Sequence, residues 1–113
     1  MAFNRITPAR FGSDELDIAP TLTTIRTTPT AARDILKSID IANNNAGTAT
    51  VEVYLVPSGG SADASNMLIP SVQIPPNTIF QWTGTQVMNA GATIQARSDV
   101  ASVTLIASGG EAL

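Results

Sequence analysis

Residues 48–56 read Thr-Ala-Thr-Val-Glu-Val-Tyr-Leu-Val, and their strict alternation decides the fold. Val51, Val53 and Leu55 face one way; Thr50, Glu52, Tyr54 and Val56 face the other. A period of two marks a strand, because successive side chains leave opposite faces of the pleat. Upstream, Arg33–Ala42 (RDILKSIDIA) repeats the pattern more weakly. Ile35, Lys37, Ile39 and Ile41 share one face there, with Leu36, Ser38 and Asp40 opposite. Lys37 would snorkel or sit at a strand end. Between the two runs lies Asn43-Asn44-Asn45-Ala46-Gly47, the strongest turn signal in the chain. Asn and Gly both accept left-handed backbone, so the pair reads as a hairpin with a loop of about five residues. A helix over Ala31–Lys37 is the competing reading.

Working outward, the same grammar continues. Thr21–Arg26 (TLTTIR) reads as a first strand, closed by a turn at Pro29. Pro57–Asn66 is a loop of small residues, and Met67–Ile74 (MLIPSVQI) is a strand that Pro70 demotes to an edge. Thr78–Thr83 (TIFQWT) alternates, with Phe80 and Trp82 on one face. Gly84–Met88 looks irregular, and Thr93–Ser98 and Val103–Ala107 complete the set. Ser108–Glu111 reads as a frayed end. Thr, Val and Ile dominate, and no stretch sustains an i, i+3, i+4, i+7 apolar pattern. Seven or eight short strands at a spacing of about ten residues predict an all-β, antiparallel sandwich, jelly-roll or Ig-like in topology. Without Cys, an Ig domain proper is excluded. Residues 1–20 break the periodicity at Pro8, Gly12-Ser13-Asp14 and Pro20, and read as an extended N-terminal arm on a sandwich of residues 21–113.

Composition narrows the chemistry. The chain has 113 residues, no Cys and no His, which removes disulfides, thiolate metal sites and the commonest general base. Charged residues are only 13%, with mean hydropathy +0.16, a balance that opposes disorder. Its six basic residues are scattered and the net charge is −3, so no phosphate-neutralising cluster forms and nucleic acid is not an expected partner. No apolar run approaches a membrane span, and the N-terminus has no apolar signal core, so synthesis in a cytosol is expected. Aromatics are 4%, and the scarcity of large side chains lowers the apolar area available per residue. That shortage predicts stability shared with neighbours, as in a homo-oligomer or an assembly.

Candidate sites are few. Gly59-Gly60-Ser61 lacks the following helix and the Lys of a phosphate loop. Asp63 and Asn66 offer a loop calcium site only in outline, since the ordered calcium-loop pattern is absent. A Ser–Lys dyad would have to use Lys37, the sole lysine, in a strand. The expectation is therefore no enzyme, no metal and no cofactor. Two interface candidates stand out instead. In the arm, Phe3, Arg5, Ile6, Arg10 and Phe11 combine apolar anchors with arginine, which suits docking on a neighbouring subunit or on the chain's own domain. Phe80 and Trp82 form either a contact surface, for protein or sugar, or a core corner.

From about Ile35 to Leu113 the chain resembles a family of small bacteriophage virion proteins. The residues that carry the likeness are Asn43 to Gly47 and Val51-Glu52-Val53-Tyr54-Leu55-Val56-Pro57-Ser58-Gly59-Gly60-Ser61-Ala62. Ile74, Phe80, Asn89-Ala90-Gly91-Ala92-Thr93-Ile94-Gln95-Ala96 and Ser98 continue it. The resemblance implies a non-enzymatic virion structural protein, located in the virion and made in the host bacterial cytoplasm. It implies a head decoration (cement) protein bound to major capsid protein or other virion proteins, with a tail or baseplate component as the alternative. A carbohydrate-binding module is the third reading, from the aromatic pair alone. The first 34 residues depart from the family's short entry strand, so the resemblance assigns no role to the arm.

Overall fold

The computed structural model describes residues 6–112. Its strands are β1 (Ile6–Glu15), β2 (Thr23–Thr27), β3 (Arg33–Asn43), β4 (Ala49–Val56), β5 (Met67–Ile74), β6 (Ile79–Met88), β7 (Thr93–Ser98) and β8 (Val103–Ala112), with one 3-10 turn at Ala64–Asn66. They form two four-stranded sheets, ordered β1-β8-β3-β6 and β2-β7-β4-β5. Every strand pair is antiparallel. Successive strands therefore cross between sheets, except for the β4–β5 hairpin. This is the two-Greek-key winding of a jelly roll, which decides between the two sandwich topologies expected.

The core lies between the sheets. β3 supplies Leu36, Ile39 and Ile41, β4 Val51 and Val53, β7 Ile94 and Ala96, and β8 Val103, Leu105 and Ala107, all fully buried. Burying each Leu, Ile or Val stabilises the fold by roughly 1.5–3 kcal/mol before ordering costs. The small alanines let the sheets close where large side chains are few.

Four expectations are corrected. Asn43–Gly47 does not close a hairpin: β3 pairs with β6 and β8, while β4 belongs to the other sheet. The segment is a crossover, and buried Asn43 braces it. Its amide donates to the carbonyls of Gly47, Ile74 and Pro75 at 2.9, 3.0 and 3.2 Å, while its oxygen accepts from Asn45 N–H at 3.0 Å. Lys37 is not on the apolar face. A register shift between Leu36 and Ser38 adds a residue at Lys37, so Leu36, Ile39 and Ile41 all point inward and Lys37 outward. Gly84–Met88 continues β6, and Ser108–Glu111 continues β8. Gly109 is needed there, because a Cβ would overlap the Ile35 carbonyl oxygen and press on the Phe11 ring.

The N-terminal segment is extended, as its composition implies, and its described part lies on its own chain. Ile6–Glu15 pairs with β8 from Ile6↔Ala112 to Glu15↔Thr104, with a bulge between Arg10 and Gly12. The bulge turns Phe11 into the core, where it is 5% exposed, and Leu16 follows it inward. The helix considered over Ala31–Lys37 is absent, since Arg33 onward is strand.

Candidate interaction surface

Two charged clusters fasten the sandwich. Arg26 on β2 reaches across to the other sheet. Its Nε and Nη2 donate to Asp34 at 2.8 and 3.0 Å, and Nη2 donates to Glu111 at 2.9 Å. Thr28 donates its hydroxyl to the same Asp34 carboxylate at 2.8 Å. The guanidinium also sits 4.9 Å over the Phe11 ring. The hydrogen bond to Asp34 raises the Arg26 pKa against the opposing effect of burial. Asp34 is fully buried and saturated by these donors, so it is closed to any ligand. Position 34 shares the inward parity of Leu36, and that parity was the one sequence signal for a buried acid.

On β4 and β7, Arg97 Nε donates to Glu52 at 2.7 Å, and Ser71 donates to the other Glu52 oxygen at 2.9 Å. The bond from Arg97 holds the Glu52 carboxyl below its usual value. Burial pushes the Tyr54 hydroxyl up, with Glu52 adding to it. These groups satisfy one another and leave no nucleophile beside a free base.

The loop candidates also close on themselves. Asp63 accepts from Ser65 N–H at 2.8 Å, and Asn66 Oδ1 accepts from Asp63 N–H at 3.1 Å, a capping box on the 3-10 turn. Gly60 N–H donates to Pro57 O at 2.9 Å, a plain turn. Among the described residues, no group of three or more His, Cys, Asp or Glu is placed to hold a metal. Likewise, no helix among them is long and apolar enough to cross a membrane.

The interface candidates separate. Phe3 and Arg5 lie outside the described residues. Ile6 and Arg10 are exposed on β1, whereas Phe11 is buried under Arg26. Phe80 and Trp82 share a face, as their spacing predicts; it is the core-facing side of β6, opposite Ile41 and Ile39. Both are half-buried against the core. β1 and β6 are opposite edges of one sheet, so the two groups form no single patch.

Three of the four exposed large apolar side chains among the described residues lie on that sheet, and the fourth, Ile18, bridges to β7 in the other. The three are Ile6, Ile79 and Val87, on the first sheet's two edge strands. A shallow depression of about 440 Å³ on its outer face is lined by Ile6, Pro8, Ile35, Lys37, Thr85 and Gly110. The edges differ in protection. β1 carries Pro8 and the charges of Arg10, Asp14 and Glu15. β2 is five residues long. β5 is broken by Pro70 and by Ser71 at φ 35°. β6 runs ten residues, IFQWTGTQVM, with neither proline nor charge, and its ladder with β3 shifts register between Thr83 and Gln86. Sequence reading missed this edge because Gly84 was taken to end the strand.

Fold and edges together define an eight-stranded jelly roll, an architecture shared by viral capsid, lectin and cupin domains. The sequence matches no protein-family model and no curated protein. Among solved structures, the fold is similar to a chain of the T13 IBDV viral particle, at 10% identity and a TM-score of 0.51, over 98% of this chain and 31% of that one. It also aligns with a chain of infectious bursal disease virus Gx strain at 9% identity and a TM-score of 0.45, covering 96% of this chain and 31% of that one. At such identity the likeness is one of fold. The chain spans about a third of the length of these viral chains.

Proposed function

We propose that the chain is a non-enzymatic virion structural protein that decorates and cements a bacteriophage head, bound to the major capsid protein and to further copies of itself. The observation that carries this reading is the strand order β1-β8-β3-β6 over β2-β7-β4-β5, a capsid-type jelly roll. The resemblance of residues 35–113 to small phage virion proteins supports it. So does the distribution of chemistry: Arg26, Asp34, Glu52 and Arg97 are spent on internal bonds, while Ile6, Ile79 and Val87 lie open on one sheet and Ile18 beside the other.

The mechanism is linkage. A protein that binds the closed lattice and not the opened one stabilises the closed form, by about 2.7 kcal/mol per site at a hundredfold excess over Kd. Repetition over many equivalent sites multiplies modest contacts into high avidity. Mixing the protein at micromolar concentration with empty head shells and sedimenting them tests the reading. Saturable pelleting with heads supports it; protein left in the supernatant, or pelleting only with tails, overturns it.

A further inference from the structure

Charge is divided between the two ends of the sandwich. Asp14, Glu15, Asp17 and Asp99 are exposed at the end where β1 leads to β2 and β7 to β8. Among the described residues none of the four has an ion-pair partner, and Arg97 on β7 is held by Glu52 at 2.7 Å. Ile18 stands among these carboxylates. It is 51% exposed and bridges to Ser98, the residue before Asp99. Glu15, Asp17 and Ile18 line one dent of this tip.

The opposite end carries the complement. On the outer face of the first sheet, Pro8, Gly110, Ile35 and Val87 lie side by side in register across all four strands. This apolar row runs through the depression of about 440 Å³. Gly110 adds no side chain to fill it, and a Cβ there would press on Ile6 at 2.8 Å. Exposed cations flank the row. Arg33, in register with Ala112, stands one outward row towards the end, and Arg10, in register with Ser108, one outward row the other way. Outward rows are about 7 Å apart. Lys37 sits at the bulge between Ile35 and Ser38 and donates to Thr85 at 2.9 Å. The neighbouring acids, Asp34 and Glu111, turn inward to Arg26 at 2.8 and 2.9 Å, so the outer face keeps its positive charge.

We infer that the acidic tip of one copy of this chain docks in the trough of a second, with Ile18 on the Pro8–Gly110–Ile35 row and Glu15 and Asp17 set against Lys37 and Arg33. Apolar and charge complementarity hold together only for tip on trough. Trough on trough would oppose cations, and tip on tip would oppose carboxylates. The contact therefore joins unlike surfaces of the two copies.

The inference specifies the self-association in the proposed function and rests on that reading, but its test needs no shell, so the two can fail separately. Sedimentation of the free protein at micromolar concentration should give at least twice the 11.7 kDa chain mass. Glu15→Lys with Asp17→Lys reverses the tip, and Arg33→Glu with Lys37→Glu reverses the trough. Each double variant alone should sediment as single chains with an unchanged far-UV spectrum. All four substitutions in one chain leave the net charge at −3 and set opposite signs together again, so assembly should return. A one-to-one mixture of the two double variants makes the same opposite-sign contacts and should assemble as well. Ile18→Ser keeps every charge and should weaken association about tenfold, because the contact covers that side chain. A single-chain mass for the unaltered protein overturns the docking. So does a double variant that alone reaches the mass of the unaltered protein, or a mixture that stays as single chains.

Discussion

Replacing Asp34 by Ala probes the bond between the two sheets most sharply. The carboxylate is fully buried and accepts three hydrogen bonds, two from Arg26 and one from Thr28. Its loss leaves Arg26 with Glu111 alone and strands the Thr28 hydroxyl. Removing one member of a buried ion pair costs roughly 3–5 kcal/mol. The Arg26 side chain is 20% exposed and keeps Glu111 at 2.9 Å, so the loss belongs at the low end, about 3 kcal/mol. For a domain of this size, that lowers Tm by roughly 12 °C. Guanidinium titration should show a lower midpoint with the same slope, because the native fold is kept. The companion variant Arg26→Met with Asp34→Leu removes both charges and should cost less than Asp34→Ala, since no charge is left alone. A loss under about 1 kcal/mol for Asp34→Ala would mean the pair is screened like a surface one, refuting the reasoning.

Other predictions follow from the same contacts. The Glu52 carboxyl is held below its ordinary value of 4.5 chiefly by Arg97. Its contribution is therefore present above 4.5 and fades as pH falls through the lowered folded value. Glu52→Gln should flatten that part of the acid stability profile, by under about 1 kcal/mol because the pair is part-exposed. Asn43→Ala should lower unfolding free energy by about 2 kcal/mol, since buried carbonyls at the β3–β4 crossover lose their donor; a loss within error would show that water replaces the amide. Deleting residues 2–16 should abolish cooperative unfolding, because it removes Phe11, Leu16 and the whole β1 side of the β1–β8 ladder. A truncated chain that still melts cooperatively would return this segment to the status of a dispensable arm.

The deletion shows where sequence reading reached its limit. Strict alternation at Thr48–Val56 located β4, because that strand keeps one register with β7 along its length. The bulges at Phe11 and Lys37 each break the period of two, so β1 looked like an arm and Lys37 looked inward-facing. A bulge adds a residue that only the neighbouring strand reveals. Gly109 and Gly110 read as a frayed end for a related reason. Glycine signals freedom in sequence, while here Gly109 marks close contact with β3 and Phe11. The pairing of Phe80 with Trp82 was legible from spacing, but which face was buried depended on β6 being an edge beside β3. Arg26 and Glu111 are 85 residues apart, beyond any local pattern.

In the proposed function, binding of this chain holds a head shell closed. The direct measurement is the temperature at which empty shells open, followed by light scattering as the protein is added. The claim predicts a rise that grows with occupancy and levels off when the sites are full. Shells that bind the protein yet open at an unchanged temperature would contradict it.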